Sequence, residues 1–296
     1  MKSNTKAHLA VLATNLLFGV NYATVKYITP AFILPFGLNM ARVLTALILF
    51  WILYLLKPTS FSIRIKDIPR FIICAASGVT INQLLFIKGL SLTTSIHASL
   101  LSLGTPIFIT IIAAWLLREM LTPVKMIGLT LGIGGATMLI LLKDSTHSGT
   151  DVVTGDILIL LNAISYAFYM VLVRPLMQVY SPVHVIRWVF TFGTIMIAPF
   201  AWPQFASTDW SAFQSTHWMA LAFVCIGATF FSYLFNIYGI SVIGASATGS
   251  YIYTQPVFAA ITSMIFLGEN IDAYKIIAAL LIFTGVYLVN WQRVKN

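Results

Sequence analysis

Apolar positions in this chain fall in long unbroken runs, and the polar residues inside those runs recur at helical rather than strand spacing. LLFGVNYATVKYI at 16–28 and ALLIFTGVYLV at 279–289 show no alternation of apolar and polar residues, which a membrane β-strand of about ten residues would need. Runs of about 20 residues suit helices that cross a bilayer, where each backbone N–H and C=O must be satisfied within its own segment. The pattern predicts ten of them, at 6–27, 33–56, 68–90, 94–117, 123–142, 155–174, 182–203, 215–238, 245–267 and 273–292. The first run is too long for a cleaved leader and no small-residue cleavage site follows it, so it is read as the first span.

The pattern also repeats. Sliding the chain by 150 positions without a gap lays TPIFITIIAAWLLREMLTPVK (105–125) over QPVFAAITSMIFLGENIDAYK (255–275). Gly89 then pairs with Gly239, Ser91 with Ser241, Pro106 with Pro256, Glu119 with Glu269, Lys125 with Lys275 and Gly135 with Gly285, and 11 of the 47 positions from 89 to 135 are identical. At an offset of 147, Asn15, Gly19 and Tyr22 of span one lie over Asn162, Tyr166 and Tyr169 of span six. Two halves follow, 1–147 with the first five spans and 148–296 with the last five. Five is odd, so the second half enters the bilayer upside down. The expected fold is therefore all-α and integral to the membrane, with ten transmembrane helices in two inverted five-helix repeats. Such repeats let a central site open to one side and then to the other.

Composition agrees with a lipid environment: 59% of the 296 residues are hydrophobic and 8% charged, with a mean hydropathy of +0.93. The net charge of +9 is mostly a topology signal. Lys2, Lys6, Lys57, Arg64, Lys66, Arg70, Arg118, Lys125, Arg174, Arg293 and Lys295, 11 of the 17 basic residues, fall on one side. Loops on the other side hold Lys143 and Lys275, with Lys26 and Lys88 at helix ends. By the positive-inside rule both termini are expected in the cytoplasm. No basic soluble surface exists for nucleic acid. Cys74 and Cys225 both fall inside spans without metal-ligand spacing and are read as small core residues.

Phe18-Gly19 in span one, Arg42 early in span two, GLSLTTSIHAS (89–99) before the mid-helix Pro106, and Glu119 closing that helix carry a resemblance, as do Gly239, Pro256 and Glu269 in the second half. Both halves resemble the EamA domain of the drug/metabolite transporter superfamily, over nearly the whole chain. Span six departs from the pattern, with Tyr166-Ala167 where many relatives have Trp-Ala. The resemblance implies a multi-pass transporter of a bacterial inner membrane, a monomer or homodimer without cofactor, whose partners are a small-molecule substrate and the bilayer. It also implies export; nothing in the spacing of residues encodes direction.

Arg42, about nine residues into span two, is the most costly residue to bury and needs a partner. It can hold a substrate carboxylate or phosphate through paired hydrogen bonds, or cap carbonyls at a cavity wall. Arg187, Lys26 and Lys88 lie nearer the surfaces and are expected to snorkel. Asn15, Gly19 and Tyr22 share one helix face, as Asn162, Tyr166 and Tyr169 do. Asn82 and Gln83 join them from span three and Tyr233 from span eight. Tyr251, Tyr253 and Gln255 stand just before Pro256 and are expected nearest a ligand, with substrate held by Arg42, Gln83, Tyr169 and Tyr253. For each polar residue, interhelical hydrogen bonding is the competing reading.

Pro106 and Pro256 lack an N–H and should free the carbonyls of Ser102 and Ile252 beside a central cavity. They are the expected helix-break positions, and Gly19, Gly89 and Gly239 are expected to permit close helix approach as the halves rock. Glu119 with Lys125 and Glu269 with Lys275 are read as ties fixing two helix ends. No Asp or Glu lies at mid-span, which argues against a carboxylate-based proton pump and leaves His97 or a substrate proton for coupling.

Aromatic faces, amides and one arginine suit a small amphipathic zwitterion, with amino acids first. Organic anions, phosphorylated metabolites and drugs are the alternative substrates. A membrane enzyme would need a catalytic or metal motif that the chain lacks, and a channel would show flux that does not saturate.

Overall fold

The computed structural model describes residues 3–56, 62–117, 122–141 and 150–290, and those residues contain helices and turns but no strand. Glu119 lies outside them, as do Lys2, Lys57, Arg118, Lys143, Arg293 and Lys295 of the charge count. Eight helices are long and apolar enough to cross a membrane: α1 Asn4–Ile28, α2 Pro35–Leu56, α3 Ile65–Leu92, α4 Ser95–Leu116, α5 Pro123–Leu141, α6 Asp151–Leu172, α7 Pro182–Ala206 and α8 Ser215–Gly239. Two shorter apolar helices follow, α9 Tyr251–Leu267 and α10 Ala273–Val289. Their outward faces carry large apolar side chains such as Trp115, Ile195, Phe266 and Leu280, each more than half exposed.

The residues of the expected loop at 239–244 have helical backbone, within a stretch of helical residues from Ser232 to Ser250. GISVIGASATGS contains no proline to stop it. The chain nevertheless folds back there. Thr248 Oγ1 lies 3.3 Å from the position a Cβ on Gly239 would take, whereas a straight helix would separate residues nine apart by about 13.5 Å.

Helix contacts form matching sets. The far half of α8 packs on α1 as the far half of α3 packs on α6, and α9 packs on α1 as the second half of α4 packs on α6. The remaining large contacts are α2 on α7 and α5 on α10. A shift of five helices exchanges each of these contacts for another in the set. Glycines set the closest approaches. A Cβ on Gly19 would run into the Phe258 Cβ, one on Gly239 into the Val11 side chain, and one on Gly89 would meet the Gly155 carbonyl oxygen at 3.0 Å. Between α5 and α10 the backbones themselves touch: a Cβ on Gly285 would lie 2.6 Å from both the Gly128 carbonyl oxygen and the Gly132 nitrogen.

Two distortions also recur. α3 is wound as π-helix over Ala76–Thr80 and α8 over Phe223–Phe231. Sites 150 residues apart therefore share a winding that frees or redirects backbone carbonyls, a feature frequent where helices serve function.

Candidate functional site

Arg42 projects from the first half of α2 and is 5% exposed. Its Nε donates to Thr229 Oγ1 at 3.1 Å, in the π-wound part of α8. Thr229 in turn donates to the Val224 carbonyl, five residues back, at 2.8 Å. Cys225 and Tyr233 lie within electrostatic reach of the guanidinium. Nη1 is buried and has no hydrogen-bond partner among the described residues.

One helical turn before Arg42, Asn39 donates through Nδ2 to the Gln83 carbonyl of α3 at 2.7 Å. Asn39 Oδ1 and Gln83 Oε1 are both buried without a partner among the described residues, as is Asn21 Oδ1 on α1. Asn21 shares a face of α1 with Thr14, which donates to the Ser232 carbonyl of α8, and with Leu17, which approaches Gly227. An open cationic donor on α2 thus sits one turn from an open amide acceptor, with another acceptor on the adjoining α3. Buried polar groups normally find partners, and this set suits a ligand that is anionic at one point and a donor at another.

Tyr166 and Tyr169 of α6 pack at a ring separation of 5.8 Å, and Tyr233 lies within electrostatic reach of both. Tyr233 also meets Phe190 edge-on at 5.3 Å. Gly78, in the π segment of α3, makes the room: a Cβ there would lie 2.5 Å from the Tyr169 ring. Tyr166, Tyr169 and Tyr233 therefore form one aromatic group adjoining Arg42.

The other candidates are placed differently. Asn82 and Asn162 donate to each other's carbonyls at 3.3 and 2.7 Å and clamp α3 to α6. Gln255 donates to Asn15 Oδ1 at 2.8 Å and ties α9 to α1. Tyr22 packs edge-on against Phe86 at 5.5 Å. Tyr251 bonds His8 at 2.8 Å in an exposed position. Tyr253, expected beside Arg42 at the ligand, instead lines a groove of about 330 Å³ with Phe283, Thr284 and Tyr287, and Tyr287 is 55% exposed. Proximity to Pro256 in sequence does not bring Tyr251 and Tyr253 to the guanidinium, because the chain leaves the helix at that point.

The prolines stand in the first turns of helical segments rather than kinking a continuous helix. α4 is interrupted at Leu103-Gly104 and restarts at Thr105, with Pro106 second in the new segment. The Ser102 carbonyl, expected to be free, accepts from Thr105 Oγ1 at 2.7 Å. In α9 a 3₁₀ turn, Tyr251–Thr254, precedes Gln255-Pro256, and Thr254 Oγ1 donates to the Tyr251 carbonyl at 2.7 Å. Proline suits the first turn of a helix, where its missing N–H has no intrahelical partner to lose.

A second polar cluster lies at the base-poor end. Glu269 accepts from the backbone amides of Ser95 and Ile96 at 2.8 and 3.0 Å, capping α4 across the two halves. Asp156, at the start of the sixth expected span, is buried in α6, as is its partner His97 in α4. His97 Nδ1 lies 3.0 Å from Asp156 Oδ2 and Nε2 lies 3.3 Å from the Tyr274 hydroxyl. Thr93 donates to the other Asp156 oxygen. Lys275, itself 2% exposed, pairs with Asp272 at 3.3 Å and donates to the Asn270 carbonyl at 2.8 Å. Lys125 bonds through its backbone amide to Thr122 Oγ1 at 3.4 Å.

Two of the three expected snorkelling side chains turn inward. Lys26 donates to the Leu90 and Thr93 carbonyls. Arg187 is buried in α7, 4.0 Å from the Tyr54 ring centroid and 4.9 Å from that of Trp51, with His184 Nδ1 at 3.2 Å. Lys88 is exposed. Sequence reasoning passed over Asn39, Thr229 and Asp156. The i, i+3 spacing of Asn39 and Arg42 was the one visible signal.

Eight helices long and apolar enough to cross a membrane, with two shorter ones, make this a multi-pass membrane protein. The chain belongs to the EamA-like transporter family, which it matches over residues 5–141 and again over 153–291. It is 26% identical over 291 residues to an uncharacterized transporter of Archaeoglobus fulgidus, covering 96% of this chain and 97% of that one. A probable terminal-alkyne amino-acid exporter of Streptantibioticus cattleyicolor is 26% identical over 235 residues, 77% of this chain and 74% of that one. A solved crystal structure shares the fold at a TM-score of 0.65 and 17% identity, covering 99% of both chains.

Proposed function

We propose that the chain is a secondary transporter that moves small amphipathic metabolites, amino acids first, by alternating access between two inverted five-helix halves, 1–147 and 148–296. The observation that carries the substrate class is the buried Nη1 of Arg42, one turn from the open Asn39 Oδ1, with the open Gln83 Oε1 on the adjoining helix. A guanidinium receives a carboxylate through charge-assisted bonds, amide oxygens receive an ammonium, and the tyrosine group accepts an apolar side chain. Exchange of the helix contacts by a five-helix shift supports the repeat. The Streptantibioticus relative supports amino acids and the outward direction. The basic loops support a bacterial inner membrane with both termini in the cytoplasm.

Counterflow in proteoliposomes tests this. Vesicles preloaded with single unlabelled amino acids should take up the labelled compound saturably, and Arg42→Ala should abolish that uptake. Exchange that survives the substitution would return Arg42 to a structural role. No exchange for any amino acid, with exchange of an organic anion or phosphorylated metabolite, would replace the substrate class while leaving the carrier.

A further inference from the structure

We propose that His97 and Asp156 form the proton site of this carrier, and that taking up one proton latches its base-poor end shut. The inference rests on the transporter reading but not on the substrate. Both side chains are 1% exposed, at a depth where an ionised group is costly unless compensated. With one proton the pair has no net charge; without it, the pair carries a buried negative charge.

The hydrogen bonds fit both states. Nδ1 serves Asp156 throughout, while Nε2 accepts from the Tyr274 hydroxyl when the ring is neutral and donates to the same oxygen when it is charged. Thr93 holds the second carboxylate oxygen in either case. The pair also joins the two halves, with His97 on α4 and Asp156 and Tyr274 on α6 and α10.

The charged and titratable groups around it come from every neighbouring segment. Glu269 of the α9–α10 link sits on the amides two and one residues before His97. Lys26 of α1 sits on the carbonyl of Thr93. Lys275, paired with Asp272, lies 5.6 Å from the Tyr274 ring centroid. Without the proton the Asp156 carboxylate loses its imidazolium partner and stays buried beside a neutral ring, so loss of the proton weakens the tie among α4, α6 and α10. A proton taken from the base-poor side closes that end; its release to the opposite side lets the end reopen, which couples inward proton movement to outward substrate movement. The repeat does not carry the pair to the opposite end, since a shift of 150 places Ile243 and Ala247 where Thr93 and His97 stand.

The test needs no substrate. Spin labels at Lys88→Cys and Ile271→Cys in the full chain report the width of the base-poor end in nanodiscs; the native Cys74 and Cys225 are buried. Wild type should show a short distance at about pH 5.5 and an added longer population at about pH 8.5, either side of the range where imidazoles titrate. His97→Gln and Asp156→Asn should each give one distribution at both pH values. A wild type indifferent to pH, or variants that still respond, would overturn the proposal. In proteoliposomes His97→Gln should retain counterflow yet lose about tenfold or more of accumulation driven by a pH gradient. Equal loss of both would assign the pair to structure alone. Failure of amino-acid exchange would leave the distance measurement standing.

Discussion

Two arginines are buried on the neighbouring helices α2 and α7, and their surroundings differ in kind. Arg187 sits on the faces of Tyr54 and Trp51 beside His184, so aromatic rings supply the compensation its charge needs. Arg42 has a hydroxyl on one nitrogen and leaves Nη1 open among the described residues. Burial alone therefore does not mark a binding residue. What differs is the company each charge keeps: aromatic faces around Arg187, and open amide oxygens near Arg42.

The sharpest way to break this contrast is Arg42→Ala. Truncating one side of a buried charge pair costs about 2–5 kcal/mol, so counterflow should fall by about two orders of magnitude. The thermal transition should change little, since few protein bonds are lost. Arg187→Met should behave in the opposite sense. It removes the cation–π contacts with Tyr54, Trp51 and Trp188, the nearer ones worth about 1–2 kcal/mol each when desolvated, lowering the unfolding temperature, while the KM of the protein that remains folded stays the same.

The contrast is sharpened further by Asn39→Leu. It should raise the KM for an amino acid about tenfold, from loss of a hydrogen bond to a charged group, and leave the corresponding acid without its amino group nearly unaffected. Equal losses for the two compounds would show that Asn39 does not read the ammonium. The smallest effect is expected from Thr229→Val, which removes one bond to Nε and should weaken exchange about fivefold. An unchanged exchange rate would separate the π segment of α8 from the site.

How much of this was legible in the sequence depends on what a helical pattern encodes. Apolar runs located the spans because lipid admits little else. They failed at 239–244, where helical turns rather than a loop carry the reversal. Charge near a span end misled. Snorkelling predicted Arg187 and Lys26 outward, yet Trp51 and Tyr54 on another helix and the Thr93 carbonyl draw them in. Asp156 stands second in its expected span, and nothing in its position shows that His97 on α4 and Thr93 in the link before it enclose it. Periodicity assigns a face, not the neighbour that face will meet. The tyrosines show the same limit: Tyr166 and Tyr169 converge on Tyr233, which adjoins Arg42, whereas Tyr253 turns to Phe283 at 6.0 Å.

The seam between α5 and α10, where Gly128, Gly132 and Gly285 meet with no side chain between them, has a consequence for how such a protein can change over generations. A residue beside Arg42 can be exchanged for one of another size, and the loss or gain falls on what the carrier accepts. At the seam even the smallest side chain forces two backbones apart, and a compensating change must come from the chain path itself. Diversification of cargo is thus open to single substitutions, whereas the seam is closed to them, and the two regions should drift at very different rates.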